Sequence, residues 1–446
     1  MLFVLREVAT VRQGDGRPSL TRPRDQLLSE ASNPKCTDSE QLLSILRFTT
    51  AGESHGPALV SILEGMPAGL PLVADDVNVE LARRQQGYGR GRRMQIEKDA
   101  IEFLSGVRGG ETIGSPIAML MHNRDWKNWQ EIMNPAANEG ELATAGEPAL
   151  RKRAVTRVRP GHADLSGLLK YARADARDIL ERASARETTA RVAAAAVCKR
   201  FLREFGVIIG SHVTHLGGID ARRPDVMPND INAAADASPL RTLDAEAERA
   251  MIAKIDVVKR EGNTLGGICE VICAGLPVGL GSHVSWDRKL DGRLAAAMMS
   301  VPAVKAVEIG LGFEMARRTG AEVHDEIEPH PNAPLTGNVR RRTNRAGGLE
   351  GGITTGEPLV LHVGMKPIST LMRPLATVDV ATGESAAAVA ERSDVTAVPA
   401  MGVIAEGMAA LVLADAFLEK FGGDSLVETR RNYDGYLSYL QSRIGG

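Results

Sequence analysis

Two histidines stand in settings that leave an imidazole available for proton chemistry. One lies in Gly52–Glu53–Ser54–His55–Gly56, directly after the β-like run Ile45–Thr50. Glycines on both sides of a histidine at a strand exit let a ligand approach the backbone closely and leave the ring exposed. The other lies in Arg157–Val158–Arg159–Pro160–Gly161–His162–Ala163–Asp164, where arginines flank a histidine on a Pro-Gly turn. Taken singly, each histidine also fits a structural turn, and Asp164 also fits a local surface pair with His162.

Arginine supplies the second kind of chemistry. The chain has 54 Lys and Arg, of which 12 are Lys and 42 are Arg. A GC-rich genome raises Arg and Ala together, so placement carries the information. Arg83, Arg84, Arg90, Arg92 and Arg93 are interleaved with Gly87, Gly89 and Gly91, with no acid before Glu97. This predicts a mobile cationic loop suited to carboxylate or phosphate. Its Gly-x-Gly-x-Gly follows a helix pattern, not a strand, and so fails as a dinucleotide fingerprint. Arg182–Thr188 offers phosphate-compatible donors in Ser184 and Arg186 beside small residues, though an ordinary helix contact reads the same way. The pairs Gly347–Gly348 and Gly351–Gly352 imply tight turns packed against something, a flat ring included. Lys366–Pro367–Ile368–Ser369–Thr370 is a phosphate-binding type of cluster without the P-loop spacing. Asp394, just before an apolar helix, reads as a cap.

The elements that must position these groups are helices at Asp75–Gln86, Asp178–Phe205 and Val398–Phe421, with strands at Val207–Gly217 and Leu265–Gly275. Gly206 is the expected C-cap of the second helix. Residues 123–158 form a polar insertion too long for an idle connection. Strand and helix signals are mixed without strict alternation, which predicts an α+β fold. Residues 1–44 lack sustained periodicity and read as a poorly ordered extension before a catalytic domain over 45–446.

Composition excludes several classes. The 446 residues are 43% hydrophobic and 25% charged, the ordinary globular mixture. A net charge of −2 and 4% aromatic residues argue against a nucleic-acid binder. No apolar run approaches the ~20 residues of a membrane span, and no secretory leader is visible, so a cytoplasmic protein is expected. Cys269 and Cys273 share one face of a strand, and no zinc-type spacing is present, so no metal site is expected. Val304–Gly312 reads as strand then Gly-Leu-Gly, but Met315 holds the third glycine position, which counts against a nicotinamide-dependent oxidoreductase.

In this order the segments resemble the chorismate synthase family. The resemblance rests on GESHGPALVSILEGMP (Gly52–Pro67), RRQQGYGRGRRM (Arg83–Met94), RPGHADLSG (Arg159–Gly167), ERASARETTARVAA (Glu181–Ala194) and RSDVTAVP (Arg392–Pro399). It implies a β-α-α-β sandwich, typically homotetrameric, that converts 5-enolpyruvylshikimate 3-phosphate to chorismate and phosphate by 1,4-anti elimination. It also implies a requirement for reduced FMN, which the bacterial form takes from an external flavin reductase. By resemblance His55 protonates the departing phosphate, His162 lies near the flavin ring, and Asp394 helps accept the substrate proton. Arg84, Arg90, Arg93, Arg159 and Arg186 would face the substrate. Arg84 and Arg90 also fall where the family's nicotinamide cofactor is placed. FMN contacts carry over to Arg182, Ala183, Ser184, Pro302, Ala303, Gly351, Lys366, Pro367, Ile368, Ser369, Thr370 and Arg392. Pro302 replaces a frequent Asn, so only a backbone contact remains there.

Overall fold

The computed structural model describes residues 44–91, 98–136, 154–390 and 394–443. Arg93, Arg392 and the extension up to residue 43 lie outside the described residues. Strands β1 (Arg47–Ala51), β2 (Ala58–Glu64), β3 (Glu102–Ser105) and β4 (Ile117–His122) form an antiparallel sheet in the order β1-β2-β4-β3. Alternation makes this a one-sided sheet: Leu59, Leu63, Ile117, Met119 and Met121 all turn inward and are buried.

The second sheet has at its centre β5 (Ile208–Leu216) and β6 (Gly267–Ala274), with β7 (Val304–Ile309) and β8 (Leu359–Met365) beyond. Its order is β7-β8-β6-β5, ending in the short strand Ile219–Asp220. Cys269 and Cys273 do share a buried face, and burial pushes both thiols upward, Cys269 to about 12. Between the sheets lie α1 (Ala74–Gln85), α2 (Thr188–Glu204) and α3 (Val398–Phe421). Helix α2 packs on β2, and α3 packs on α2, β5 and β6, giving the layers β-α-α-β.

Helix α3 is apolar on every side, long enough to cross a membrane by length and composition, and almost wholly buried inside the protein. A helix without a polar face must be enclosed by other elements. Close approach to α2 depends on Gly407, where a Cβ would stand 2.9 Å from that of Ala195. The scarce aromatics are spent here too: Phe201, Phe205, Phe417, Phe421 and Tyr433 form one contacting cluster.

In the middle of α3 sits a carboxylate, Glu406, fully buried. It accepts from Arg83 at 2.9 and 3.0 Å, Lys199 at 2.8 Å, Arg241 at 3.0 Å and Ser211 at 2.6 Å. Burial alone would raise its pKa, but Lys199, Arg83 and Arg241 outweigh burial and hold it well below the usual carboxylate range. Arg83 is thus a structural residue, and the expectation of a mobile 83–93 loop fails for its start. Of its acids, Glu80 lies one turn back on the same helix, while Asp236 and Glu406 come from distant segments that local sequence hides.

The pattern suggesting one helix over Asp178–Phe205 resolves into three pieces. A short turn of helix spans Arg177–Leu180, a 3-10 turn spans Ala185–Glu187, and α2 begins only at Thr188. Ser184 is extended, with φ −68° and ψ 146°, and its hydroxyl accepts from Arg186 N. Glu181 keeps helical angles, φ −63° and ψ −40°, and its N–H donates to Arg177 O, but its carbonyl accepts from Ser54 N at 2.9 Å. Phe205, not Gly206, occupies the C-cap position, with Gly206 following at φ +78°. A small separate core of Val155, Val158, Leu168, Ala176 and Leu180 holds the Arg159–Asp164 turn against the Arg177–Leu180 helix.

Replacing Glu406 by Leu leaves Arg83, Lys199 and Arg241 buried without their shared anion. The expected loss is about 3–5 kcal/mol, read from urea unfolding of Glu406→Leu beside the parent protein.

Candidate active site

The loop Gly52–Pro57 leaves β1 and is fastened to residues 181–186. Ser54 N donates to Glu181 O at 2.9 Å, and the Ser54 and Ser184 hydroxyls are 3.0 Å apart. Arg182 donates to Thr50 O at 2.9 Å and Gly52 O at 3.1 Å. Asn123 Nδ2 donates to Gly56 O at 2.8 Å, while its Oδ1 accepts from Arg186 Nε at 3.0 Å. Gly52 meets the need for a left-handed turn, at φ +103°, where a Cβ would strike Ala58 O at 2.4 Å.

His55 is held through Nδ1, which is 2.9 Å from both carboxylate oxygens of Glu181. Trp129 stacks on the ring with centroids 3.9 Å apart. His162 is held the same way, its Nδ1 2.6 Å from Asp164 Oδ1. Asp164 is buried and also accepts from Arg159 Nε at 2.8 Å and Nη2 at 3.1 Å. So Asp164 is a buried anchor and not a surface partner. Burial would raise its pKa, yet the hydrogen bonds from His162 and Arg159 outweigh burial and hold it well below the usual range.

Arg84 and Arg186 are both buried and share Asp99. Arg84 donates to Thr188 Oγ1 at 2.9 Å and Ala185 O at 2.7 Å, while its Nη1 is buried with no hydrogen-bond partner among the described residues. Burial, with Arg90 and Arg186 nearby, pushes the Arg84 guanidinium down to about 10, against the opposing pull of Asp99 and Asp394. Arg90 Nε is 3.0 Å from Asp394 Oδ2, and Gly91 N donates to the same carboxylate. Asp394 therefore braces the arginine loop and is not a helix cap.

Lys366 Nζ donates to Gly161 O, and a Cβ on Gly161 would meet only that Nζ at 3.3 Å and Ser369 Cβ at 3.7 Å. The 366–370 segment therefore borders the His162 turn. Lys366 N donates to Ala303 O at 3.0 Å, and Ala303 takes a left-handed φ of +68°. Ile368 O accepts from Thr264 Oγ1 at 2.7 Å. Pro302 and Ala303 thus join Lys366–Thr370 at one end of the second sheet. Gly351 does not: it belongs to the turn beside Gly281 and Leu290, past the opposite end of β6. Nor do the glycine pairs all frame an open face. Gly347 is packed on Gly310, Gly348 on Pro358 and Gly352 on Lys289, so only exposed Gly351 is left open.

Sequence reasoning missed Asp99, Asn123, Trp129 and Glu181 as members of this cluster. Glu181 opens a quoted motif, but a carboxylate beside arginines gives no sign of its distant histidine. Asp99 and Asn123 carry no spacing signal at all.

Two carboxylate-held histidines and several arginines braced by buried carboxylates suit an enzyme acting on a small polyanion. The chain belongs to the chorismate synthase family: that family's model matches residues 46–418. Chorismate synthases of Geobacter metallireducens and Salinispora tropica are 56% and 54% identical, covering 89% and 90% of this chain and all of theirs. A crystal structure of a chorismate synthase superposes with a TM-score of 0.70 at 43% identity, over 89% of this chain and 98% of that one. The α+β sandwich and the conversion of 5-enolpyruvylshikimate 3-phosphate to chorismate and phosphate follow from that membership. The family works with reduced flavin.

A carboxyl whose folded pKa is depressed stabilises the fold above its unfolded pKa and loses that contribution as pH falls. Asp164→Asn is therefore expected to be less stable than the parent at pH 7, with the gap narrowing as pH falls below about 4. Paired unfolding curves across pH check this, and a pH-independent gap would contradict it.

Proposed function

We propose that this chain carries out the elimination with His55 and His162 as its proton-handling groups and Arg84, Arg90, Arg159 and Arg186 as its anion grip. The observation that carries the reading is that both histidines have Nδ1 tied to a buried carboxylate, in a fold that also buries Arg84 and Arg186 around Asp99. The substrate carries two carboxylates and a phosphate. Arginines fixed before it arrives hold those anions and stabilise the phosphate as it leaves.

His55 sits in the loop whose Ser54 meets Ser184 and whose Gly56 is tied through Asn123 to Arg186, and it serves the departing phosphate as proton donor. Asp394, aligned by Arg90 and Gly91 N, serves the carbon that loses its proton. Arg93 and Arg392 complete the grip by resemblance alone.

The donor set fits FMN. Lys366, Ser369 and Thr370 suit its phosphate, and Gly161, free of a side chain, keeps His162 and Lys366 close together. Pro302–Ala303 and Ile368 shape the backbone of that region, with Arg182–Ser184 on the His55 side. When bound, reduced FMN supplies electron density that eases loss of the phosphate. Gly351 lies too far along β6 for this role within one copy, a span of about 23 Å by strand rise. In a homotetramer, the assembly we infer for this chain, a neighbouring copy supplies it. An external reductase provides the reduced flavin, the chain works in the cytoplasm, and catalysis resides in residues 45–446.

The first test is anaerobic. Protein, 5-enolpyruvylshikimate 3-phosphate and chemically reduced FMN should release phosphate and chorismate in matched amounts over many turnovers, and oxidised FMN should abolish both. His55→Ala and His162→Ala should each lower turnover at least ~10-fold; parental turnover in a folded variant would remove that residue from the mechanism. Removal of residues 1–44 should leave turnover unchanged, and loss of activity from soluble protein would place part of the catalytic unit in that stretch.

A further inference from the structure

On the reading that His55 serves the departing phosphate, its ring must present one defined nitrogen. The side chain of Glu181 decides which. It is 2% exposed and meets His55 three times: both oxygens lie 2.9 Å from Nδ1, and Oε2 accepts from the His55 backbone N at 2.9 Å. Arg177 Nη1 donates to Oε1 at 3.0 Å. Burial alone would raise the Glu181 pKa, but His55 and Arg177 outweigh burial and hold it below its ordinary value. Glu181 is thus an ionised carboxylate, which can only accept hydrogen bonds.

The consequence for His55 follows from valence. Nδ1 must carry a proton in the neutral ring and in the imidazolium alike. Only Nε2 differs between the two states, so any proton given to a substrate leaves from Nε2. Trp129 fixes the plane of the ring by stacking at 26°, and it is itself held by Asp125, which accepts from its indole nitrogen at 2.9 Å. Arg177 lies 5.0 Å from the same indole, so one guanidinium steadies both the carboxylate and the stacking partner.

We propose that Glu181 is a positioning residue that locks the His55 tautomer and, with Trp129, aims Nε2 at the reacting phosphate. A merely structural Glu181 would act through its backbone carbonyl, which holds Ser54 N and survives any side-chain change. A glutamine at 181 has one oxygen where the carboxylate has two. Its oxygen can still accept from both Nδ1 and the His55 backbone N–H, as Oε2 does, but its amide nitrogen then takes the place of Oε1 and faces Nδ1 and Arg177 Nη1 as a donor, so the ring loses its enforced tautomer.

The test compares Glu181→Gln, His55→Ala and the double variant, each shown to be folded by circular dichroism. With 5-enolpyruvylshikimate 3-phosphate and reduced FMN, Glu181→Gln should lower kcat by about 10–100-fold while KM stays within about threefold. The double variant should be no slower than His55→Ala, because both changes remove one function. A second readout needs neither substrate nor flavin: Glu181→Gln should alter tryptophan emission, and the same change should have no effect in a Trp129→Phe background. Parental kcat in Glu181→Gln, additive losses in the double variant, or unaltered emission would each overturn the proposal. Absence of turnover in the parent would overturn the lyase reading instead, and the emission comparison would still decide the link between Glu181 and His55.

Discussion

Gathering guanidinium groups into a half-buried cleft is unfavourable until something negative stands among them. Substrate cannot be that something, because the cleft must be folded before substrate arrives. The chain solves this with its own carboxylates. Asp99 lies between Arg84 and Arg186, Asp394 holds Arg90, and Asp164 holds Arg159. Each anion engages part of a guanidinium. The Arg84 guanidinium is pushed down first by burial and then by repulsion from Arg90 and Arg186, and is still charged at neutral pH. A polyanionic substrate would relieve that repulsion, which ties affinity to the same electrostatics that limit stability.

The same logic runs into the core. Arg83 and Arg84 are neighbours on α1 but face different anions. Arg83 is drawn to Glu80, Asp236 and Glu406, and this fixes the end of α1 against α3. With the helix end pinned, Arg84 is delivered to the cleft without freedom to retreat. A buried ion network is weak evidence for stability in itself. Its value here is geometric: it sets the register of the helix that carries Arg84.

Much of this was legible in the sequence, and the failures have a common cause. Helix α3 and the strands around Cys269 were visible because apolar periodicity is local. His55 and His162 were visible because glycine and proline around them are local too. What the sequence hid were partners from far along the chain. The arginine segment looked unpaired because Glu406, Asp236, Asp99 and Asp394 are remote from it. The run through Glu181–Ser184 looked helical because its composition favours helix, whereas its side chains and carbonyls are engaged by a loop some 130 residues earlier. Tertiary hydrogen bonds outweigh a weak local propensity there.

Among the described residues, histidine, carboxylate and arginine occur together around Glu181, Asp164 and Glu270, and the last instance shows what the motif does not explain. His212, Glu270 and His362 lie in register across β5, β6 and β8, with Arg223 at 3.1 Å from Glu270. Burial would raise Glu270, but His212, His362 and Arg223 hold it well below the usual range, much as His162 and Arg159 do for Asp164. The His212 side chain is 2% exposed, however, against 17% for His55 and 18% for His162. A histidine sealed on a sheet face has no path for exchanging a proton with a ligand, whatever its partners. The carboxylate fixes which nitrogen bears the proton, and access to the opposite nitrogen makes that fixation useful. The networks of His55 and His162 differ from that of His212 in reaching the surface, and the two sheets and their helices bring them there.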